Sequence, residues 1–312
     1  MSCVLVTGAG GFIGRHALAP LAATGMEVHA ITSSRPPAGA PAGVRWHRAD
    51  LLAPHAAADL AREVRPSHLL HFAWCTQPGL YWTASENLDW VQASLRLLRA
   101  FGKAGGRRAV FAGTCAEYAW GRRTHCVEER PAVSGTPTAP ATLYGAAKHG
   151  LHVVADAWAR QTGMALAWGR IFSVYGPHEH PDRLVGGLAR ALLRGEPAAC
   201  SHGRQLRDYL YAPELGAAFA ALLASEVTGA LNMASGEPVR VEEVVAAVAA
   251  AAGRPDLVRR GARPGGQGEP DSLTADVRRL RDEVGWAPTV GLHEGVSRTV
   301  DWWRQTRTRA AA

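Results

Sequence analysis

Short apolar runs alternate with longer amphipathic stretches along the first half of the chain. The apolar runs predict β-strands at residues 3–6, 27–32, 44–47, 68–73, 108–113 and 165–171. Helical spacing of apolar positions predicts helices between them, at residues 15–24, 56–64, 86–103 and 144–162. Strands that alternate with helices in this way build a parallel sheet with helices on both faces. The pattern therefore predicts an α/β fold with a doubly wound parallel sheet.

A glycine-rich turn joins the first predicted strand to the first predicted helix. Its glycines, at positions 8, 11 and 14, have the spacing Gly-x-x-Gly-x-x-Gly. Gly8 permits the sharp turn, Gly11 leaves the backbone open to a pyrophosphate, and Gly14 lets the helix pack close to the strand. The helix N-terminus adds free N–H groups and the positive end of its dipole. We expect this turn, with Phe12 and Ile13, to bind a dinucleotide, which makes the predicted fold a Rossmann-type one.

The end of the second predicted strand bears on which dinucleotide binds. NAD sites place an acidic residue there, which accepts a hydrogen bond from the ribose 2′-hydroxyl. Here the position falls at Thr32 or Ser33, and Ser34 and Arg35 follow. Hydroxyls and a guanidinium would bind a 2′-phosphate, whereas a carboxylate would repel it. We therefore predict NADP (NADPH) as the cofactor, with NAD as the alternative, and an ordinary polar turn as the explanation that involves no ligand.

Residues after the third and fourth predicted strands are also expected at the cofactor. Asp50 is placed to bond the adenine edge, and Leu51 is placed to pack on the adenine ring. Phe72 and Ala73 end the fourth predicted strand and complete the expected cofactor lining.

Tyr144 and Lys148 are four residues apart at the start of a predicted helix, so they share one face. A phenol has an ordinary pKa of about 10. A neighbouring ammonium and a bound nicotinamide cation favour the phenolate, which brings its proton into the range of acid–base catalysis. An exposed helical pair is the common explanation of such a spacing, but the glycine turn upstream favours a catalytic pair.

Composition and charge narrow the classes of protein. The chain has 312 residues, is 47% hydrophobic and carries a formal charge of +7. The arginines are dispersed, so anionic small ligands explain the charge better than nucleic acid does. No apolar stretch approaches a membrane span, and we find no signal peptide. The five cysteines are odd in number and scattered, which indicates a reduced, cytoplasmic protein.

The second half of the chain carries several further motifs. They are Val174-Tyr175-Gly176-Pro177, Arg207-Asp208-Tyr209, Asn232-Met233-Ala234-Ser235-Gly236, and Asp276…Leu280…Gly285-Trp286-x-Pro288. With the glycine turn, Thr114 and Tyr144-Gly145-Ala146-Ala147-Lys148, they cover nearly the whole length. The chain resembles an extended short-chain dehydrogenase/reductase of the NAD(P)-dependent nucleotide-sugar epimerase/dehydratase/4-ketoreductase family.

The resemblance implies a division of the chain. Residues 1–170 would form the NADP-binding Rossmann domain, and residues 207–232 would return to it. Residues 171–206 and 233–312 would form a smaller C-terminal α/β lobe that binds the substrate.

The resemblance also implies roles for individual residues. Tyr144 would exchange a proton with the sugar C4 oxygen, Thr114 would hydrogen-bond that oxygen, and Lys148 would hold the nicotinamide ribose. Arg207 and Arg263 would meet the diphosphate of a nucleotide sugar, although a salt bridge between Arg207 and Asp208 is the structural alternative. The remaining residues expected at the substrate are Cys115, Glu117 and Ser173.

Departures from the family pattern favour one activity. Sugar 4,6-dehydratases carry Asp-Glu after the catalytic Thr, where this chain has Cys115 and Ala116. The 3,5-epimerising reductases place an essential cysteine at the position of Ala116. The string from Gly113 to Tyr118 looks most like that of nucleotide-sugar 4-ketoreductases. We predict NADPH-dependent reduction of a nucleotide-linked 4-keto-6-deoxy sugar. The alternatives are a nucleotide-sugar C4 epimerase with bound NAD and a non-catalytic dinucleotide-sensing protein.

Two expectations concern partners and metals. By the resemblance, helices near residues 89–103 and 146–162 would pair two copies of the chain in a four-helix bundle. The apolar residues expected there are Trp90, Leu97, Leu98, Val154 and Trp158. His178, His180 and Asp182 form a potential ligand set, but we expect no metal, and no nucleic acid or membrane partner.

Overall fold

We describe the protein from a computed structural model, which covers residues 2–37, 39–129, 133–266 and 268–311. The strands in chain order are β1 (Cys3–Thr7), β2 (Glu27–Thr32), β3 (Arg45–Arg48), β4 (His68–His71), β5 (Arg108–Thr114), β6 (Arg123–Cys126), β7 (Ala165–Ile171), β8 (Ser173–Tyr175), β9 (Ala198–Ala199), β10 (Leu206–Tyr211), β11 (Gly229–Met233), β12 (Pro238–Arg240), β13 (Val258–Arg259) and β14 (Ser272–Ala275). The helices are α1 (Gly14–Ala23), α2 (Ala56–Val64), α3 (Glu86–Lys103), α4 (Leu143–Thr162), α5 (Leu184–Leu193), α6 (Ala212–Ala224), α7 (Val241–Ala252) and α8 (Leu292–Ala311).

The main sheet is parallel throughout and has seven strands among the described residues, in the order β11-β7-β5-β4-β1-β2-β3. The strand order reverses between β1 and β4. In open α/β sheets a crevice forms at this reversal, outside the carboxyl ends of the strands, and ligands bind there. The loops after β1, β4 and β5 therefore meet at the expected site.

Helices cover both faces of this sheet. Val4 and Val6 of β1 pack with α1 and α6 on one face. Leu5 points the other way and packs with α2, α3 and α4. This alternation follows from the two-residue period of a strand, and both faces are apolar because both are buried.

A second sheet combines strands from the segments expected to bind substrate with β6 and β10, which come from segments expected in the cofactor domain. Its order is β12-β10-β14-β6, and β8 pairs with β10. A further core joins α5, α7 and α8. Of residues 207–232, the strand β10 belongs to this second sheet, whereas β11 belongs to the main sheet and α6 packs against it. The division into a cofactor domain and a substrate lobe stays a prediction.

The predicted fold class is confirmed, and most predicted elements agree with the structure. The strand at 27–32 and the helices at 56–64 and 86–103 have the predicted bounds. The strand predicted over 68–73 ends at His71, where its parallel pairing with β1 ends at Thr7. Within the described residues, every helix is too short or too polar to cross a bilayer.

Candidate active site

The glycine turn after β1 is shaped by close approaches of the backbone. Gly8 has a φ of +64°, and a Cβ on it would lie 2.7 Å from the Ala73 nitrogen. A Cβ on Gly14 would overlap the Gly8 carbonyl oxygen. Arg15 donates from Nε to the Gly11 carbonyl oxygen at 3.0 Å, which braces the turn. The turn thus requires glycine at both positions and presents backbone at the start of α1.

The end of β2 lies beside this turn. A Cβ on Gly10 would be 3.2 Å from Oγ1 of Thr32, so the Thr32 side chain packs directly against the turn. Thr32 Oγ1 also accepts a hydrogen bond from the Ser34 nitrogen at 3.2 Å. Ser33, Ser34 and Arg35 are exposed. No acidic residue lies between Thr32 and Arg35. The polar groups that this segment offers to a ligand are therefore the hydroxyls of Thr32, Ser33 and Ser34 and the Arg35 guanidinium.

The remaining residues predicted at the cofactor lie around the same edge. Asp50 is exposed, and its Oδ1 accepts a hydrogen bond from the Leu52 nitrogen at 3.0 Å, while Leu51 is buried. Phe72 is half-buried against Phe219 of α6. Ala73 lies under Gly8.

Three predicted catalytic residues come together from β5 and α4. Thr114 ends β5, and its hydroxyl accepts a hydrogen bond from the Ala116 nitrogen at 3.2 Å. Thr142 caps α4 by accepting a hydrogen bond from the Gly145 nitrogen at 3.1 Å, which sets the first turn that carries Tyr144. The Thr114 side chain is close enough to the Tyr144 hydroxyl to lower its pKa. Lys148, one turn further, donates to the Ala112 carbonyl oxygen at 2.8 Å.

Burial controls the charge of this group. It raises the pKa of Tyr144 above its ordinary value, Tyr81 adds to the rise, and the Thr114 side chain opposes it. Burial lowers the pKa of Lys148 to about 7, and the negative charge of Glu117 opposes that shift. The expected lowering of the Tyr144 pKa is therefore absent from the protein alone, because desolvation of the phenolate dominates. Burial therefore favours the protonated phenol in the protein alone.

Glu117 corrects a prediction. We expected it at the substrate, but its side chain is fully buried. Oε1 accepts hydrogen bonds from the Thr114 nitrogen at 2.9 Å and from Trp168 Nε1 at 2.8 Å, and Oε2 accepts one from Arg170 Nε at 2.9 Å. Both oxygens are engaged inside the fold. Glu117 therefore anchors the end of β5 and neutralises a buried arginine.

Arg207 is paired, but not with the expected residue. Its guanidinium bonds Glu269 Oε1 at 2.6 Å and the Pro270 carbonyl oxygen at 2.9 Å. Asp208 instead accepts hydrogen bonds from the Ser235 and Gly236 nitrogens. The predicted alternative of an Arg207–Asp208 salt bridge is therefore wrong, because the Asp208 carboxylate is held by a backbone turn.

The other residues predicted at the substrate differ in their surroundings. Burial raises the pKa of the Cys115 thiol to about 12, and the charge of Arg207 opposes that shift, so Arg207 lies within electrostatic reach of Cys115. Ser173 is half-buried at the start of β8. Arg263 is exposed, and its charge acts instead on Cys200. His178 packs on Trp302, whereas His180 bonds the Asp182 nitrogen.

An aromatic wall beside Tyr144 escaped the sequence analysis. The rings of Tyr81 and Trp82 lie edge-on to the Tyr144 ring, with centroids 4.9 and 5.7 Å away. Trp120 packs edge-on against Trp82. The Trp82 carbonyl oxygen also accepts a hydrogen bond from the Tyr144 nitrogen at 3.1 Å. These rings form an apolar surface beside the Tyr144 ring.

A buried asparagine holds this wall and a further tryptophan in place. Nζ of Lys148 lies 3.8 Å from the centroid of a Trp74 ring, a cation–π contact that favours the ammonium. Asn87 accepts a hydrogen bond from Trp74 Nε1 and donates to the carbonyl oxygens of Tyr81 and Ala84, each at 2.8 Å. The cluster of aromatic residues after the fourth predicted strand was the available sequence signal.

Comparison with known proteins identifies the family. The sequence profile described as the NAD dependent epimerase/dehydratase family matches residues 4–234, which is most of the chain. The chain belongs to this family. The resemblance predicted from the motifs is thereby confirmed. For this NAD-dependent epimerase/dehydratase family member, the glycine turn and the Thr114, Tyr144 and Lys148 group lie in the matched part.

Relatives match over almost the full length. The chain is 26% identical to a probable UDP-glucuronate 4-epimerase of Rhizobium meliloti, over 98% of both chains. Among solved structures, the Thermus thermophilus UDP-glucose 4-epimerase in complex with NAD superposes with a TM-score of 0.83 at 30% identity, over 97% of this chain and 99% of that one. The dTDP-glucose 4,6-dehydratase DesIV of Streptomyces venezuelae, with NAD and TYD bound, gives 0.82 at 25% identity, over 98% of both.

Proposed function

We propose that this protein reduces the C4 keto group of a nucleotide-linked 4-keto-6-deoxy sugar with NADPH, as a 4-ketoreductase of deoxysugar biosynthesis. The observation that carries the proposal is the geometry around the buried Tyr144 phenol. Lys148 lies one helical turn away, Thr114 ends the neighbouring strand, and the residues after Thr114 are Cys115 and Ala116 instead of an acid–base pair. A reductase needs a proton donor at the start of its reaction. An epimerase begins instead by removing a proton from the C4 hydroxyl.

Tyr144, Thr114 and Lys148 have separate roles in the proposed reduction. When bound, the reduced nicotinamide supplies a hydride that forms the new C4–H bond. As the carbonyl π bond opens, Tyr144 gives its hydroxyl proton to the C4 oxygen, and solvent later returns a proton to the phenolate. Thr114 donates a hydrogen bond to the same oxygen. Lys148 would hold the nicotinamide ribose and, when protonated, would stabilise the phenolate by its positive charge.

The residues after Thr114 support reduction over dehydration. A 4,6-dehydration needs a proton donor and a base close to C5 and C6 of the sugar. Here Ala116 has no proton to give, and the Cys115 thiol stays neutral because burial raises its pKa to about 12. The aromatic wall of Tyr81, Trp82 and Trp120 offers an apolar surface, which suits the methyl group of a 6-deoxy sugar.

The glycine turn fits a dinucleotide, because Cβ atoms at Gly8 and Gly14 would collide with neighbouring backbone and displace the turn that leads into α1. The solved relatives named above carry NAD. What favours NADPH in this chain is the lack of a carboxylate between Thr32 and Arg35, and the exposed Arg35 guanidinium beside two serine hydroxyls.

Reversing the charge at the end of β2 should reverse the cofactor preference. The double variant Ser33→Asp, Arg35→Ala should bind NADPH roughly 10- to 100-fold more weakly, because a charged hydrogen bond is worth about 1.5–3 kcal/mol. It should bind NADH more tightly. Titrating the fluorescence of both reduced cofactors measures this, with Arg62→Ala on α2 as the control. Equal affinity of the wild type for NADH and NADPH would contradict the preference.

A C4 epimerase with bound NAD is the second candidate. It is favoured by the 4-epimerases among the full-length relatives, and it needs only Thr114, Tyr144 and Lys148. Cofactor content separates the two activities, since an epimerase keeps its cofactor through turnover. Purified protein that releases no NAD, and that oxidises added NADPH with a 4-keto-6-deoxy sugar nucleotide, supports reduction. Tightly held NAD and interconversion of UDP-glucose with UDP-galactose would support the epimerase.

A homodimer through α3 and α4 remains part of the proposal, with a corrected contact set. Leu97 and Leu98 cannot contribute, because they are buried in the protein's own core. Trp90 and Trp158 are half-buried against the same core. The large apolar residues that α3 and α4 do expose are Leu88, Val153 and Val154, with 55%, 53% and 51% of their surface accessible.

Charge placed on this exposed surface should separate the subunits. We expect the wild type to have about twice the chain mass in solution, and Val153→Arg, Val154→Arg to be a monomer, because the new charges would be buried without partners. Light scattering at micromolar protein measures the mass, and Leu52→Arg, an exposed leucine before α2, is the matched control. A monomeric wild type would exclude this interface.

A further inference from the structure

A second cluster of ligand-type side chains lies at the opposite edge of the main sheet from the glycine turn. Cys3 begins β1, and Glu27 begins β2 directly beside it in the parallel register. His29 follows two residues later, on the same face of β2. The Cys3 sulfur, a Glu27 carboxylate oxygen and a His29 ring nitrogen all lie within 4.8 Å of one another. One ion between them could reach all three.

A second layer of residues orients the histidine. His29 Nδ1 lies 2.8 Å from Nε2 of His47 on β3, and Nδ1 of His47 lies 3.2 Å from Glu63 on α2. His29 Nε2 lies 3.0 Å from Glu27 Oε1. This row of four groups has a carboxylate at each end. Histidines that bind metals commonly have their second ring nitrogen fixed in this way.

The row of Glu27, His29, His47 and Glu63 has one N–H too few when both imidazoles are neutral. Its three contacts each need one N–H; two neutral imidazoles carry only two, so the row needs either one protonated ring or one contact made by another group. A divalent ion between His29 and Glu27 removes one of these demands. His29 then donates from Nδ1 to His47, and His47 donates from Nδ1 to Glu63. Both rings stay neutral, every contact is satisfied, and the lone pair of His29 Nε2 points at the ion.

The charges and the donor types fit zinc. A thiolate from Cys3 and the Glu27 carboxylate supply two negative charges, which balance a divalent cation, while His29 binds as a neutral ligand. Zinc takes mixed sulfur, nitrogen and oxygen ligands in a tetrahedral arrangement. The half-exposed rim leaves the fourth position to water. Arg45 bonds Glu27 at 2.6 Å, but its side chain is exposed and is free to turn into solvent as the ion enters.

We propose that Cys3, Glu27 and His29 form a zinc site, with His47 and Glu63 as its second layer. The site lies at the amino ends of β1 and β2, whereas the glycine turn lies at the carboxyl end of β1. Zinc there ties the first two strands together. It takes no part in the reaction at Tyr144, so the site stands independently of the proposed reductase activity.

Metal binding to the untagged, chelator-stripped full chain tests the site. Competition with a chromophoric chelator should show one zinc per chain. Glu63→Gln should weaken zinc binding by roughly 10- to 100-fold, as is typical for a second-layer change, and Cys3→Ser and His29→Gln should weaken it further. His55→Gln, an exposed histidine before α2, should bind zinc like the wild type. Cobalt should give thiolate absorption that Cys3→Ser abolishes.

A measurement on the unaltered chain covers the case of a variant that does not fold. Zinc should slow alkylation of Cys3, followed by mass spectrometry of its peptide. Cys75, which is also half-buried, should react at the same rate with and without zinc. The absence of a bound zinc at micromolar excess, binding that survives both Cys3→Ser and His29→Gln, or unchanged alkylation of Cys3 would each overturn the proposal.

Discussion

Tyr144→Phe should lower kcat by about 10²- to 10⁴-fold, the usual contribution of a positioned general acid. The substitution keeps the ring that packs against Tyr81 and Trp82 but removes the hydroxyl that protonates the C4 oxygen. NADPH affinity should hardly change, because the glycine turn and Lys148 remain. Steady-state turnover of a 4-keto-6-deoxy sugar nucleotide and fluorescence titration of NADPH measure the two effects separately.

Substitutions of two nearby residues provide a comparison for the loss of kcat in Tyr144→Phe. Thr114→Val should reduce kcat less than Tyr144→Phe does, since it removes one hydrogen bond and leaves the proton in place. Cys115→Ser should have a mild effect if the thiol is only a neighbour of the site, and a severe one if it delivers a proton. A Tyr144→Phe enzyme with near-normal kcat would mean that another group, with Cys115 first in line, protonates the product.

Glu117→Ala should destabilise the protein by about 3–5 kcal/mol, the usual cost of leaving a buried charge without its partner. The fully buried carboxylate accepts hydrogen bonds from the Thr114 nitrogen, Trp168 and Arg170, so its removal strands all three donors. Urea denaturation, with the midpoint and slope compared to the wild type, measures the change in the free energy of unfolding.

Controls separate this effect from general sensitivity. Glu294→Ala breaks an exposed pair with Arg298, and should cost less than about 1 kcal/mol. Glu117→Gln keeps the shape and an accepting oxygen, so it should fall between the wild type and Glu117→Ala. A loss below about 1 kcal/mol for Glu117→Ala would contradict the anchoring role, because a buried Arg170 would then have needed no counter-charge.

The main sheet was predictable because its signals are local. The strand at 27–32 and the helix at 86–103 follow from apolar periodicity. Gly8 and Gly14 mark a turn in which a residue with a Cβ would collide with backbone. The second sheet was harder to predict. It joins β6 to β14 across about half of the chain, and such short strands have no periodicity that reveals their partners.

Site residues could be predicted where their spacing along a helix implies a shared face. They could not be predicted where a residue's role depends on burial and on distant contacts. Tyr144 and Lys148 share a helix face, which four residues of separation imply. Glu117 was expected at the substrate from the family resemblance. Its partner Arg170 is 53 residues away in sequence, so no local pattern showed that the carboxylate is buried and paired. Trp74 contacts Lys148 because the fold brings the two together, and the hydrogen bond to Asn87 fixes the indole. Local sequence shows neither contact. The rise in the Tyr144 pKa likewise depends on burial, which local sequence does not report.

Transfer of an isotopic label tests the central claim most directly. Purified protein is incubated with a nucleotide-linked 4-keto-6-deoxy sugar and NADPH carrying deuterium at the reactive nicotinamide carbon. The proposed reduction predicts one NADPH oxidised per sugar consumed, and deuterium at C4 of the product. Sugar left unreduced and NADPH left unconsumed, together with tightly bound NAD and C4 inversion of UDP-glucose without net cofactor change, would contradict it.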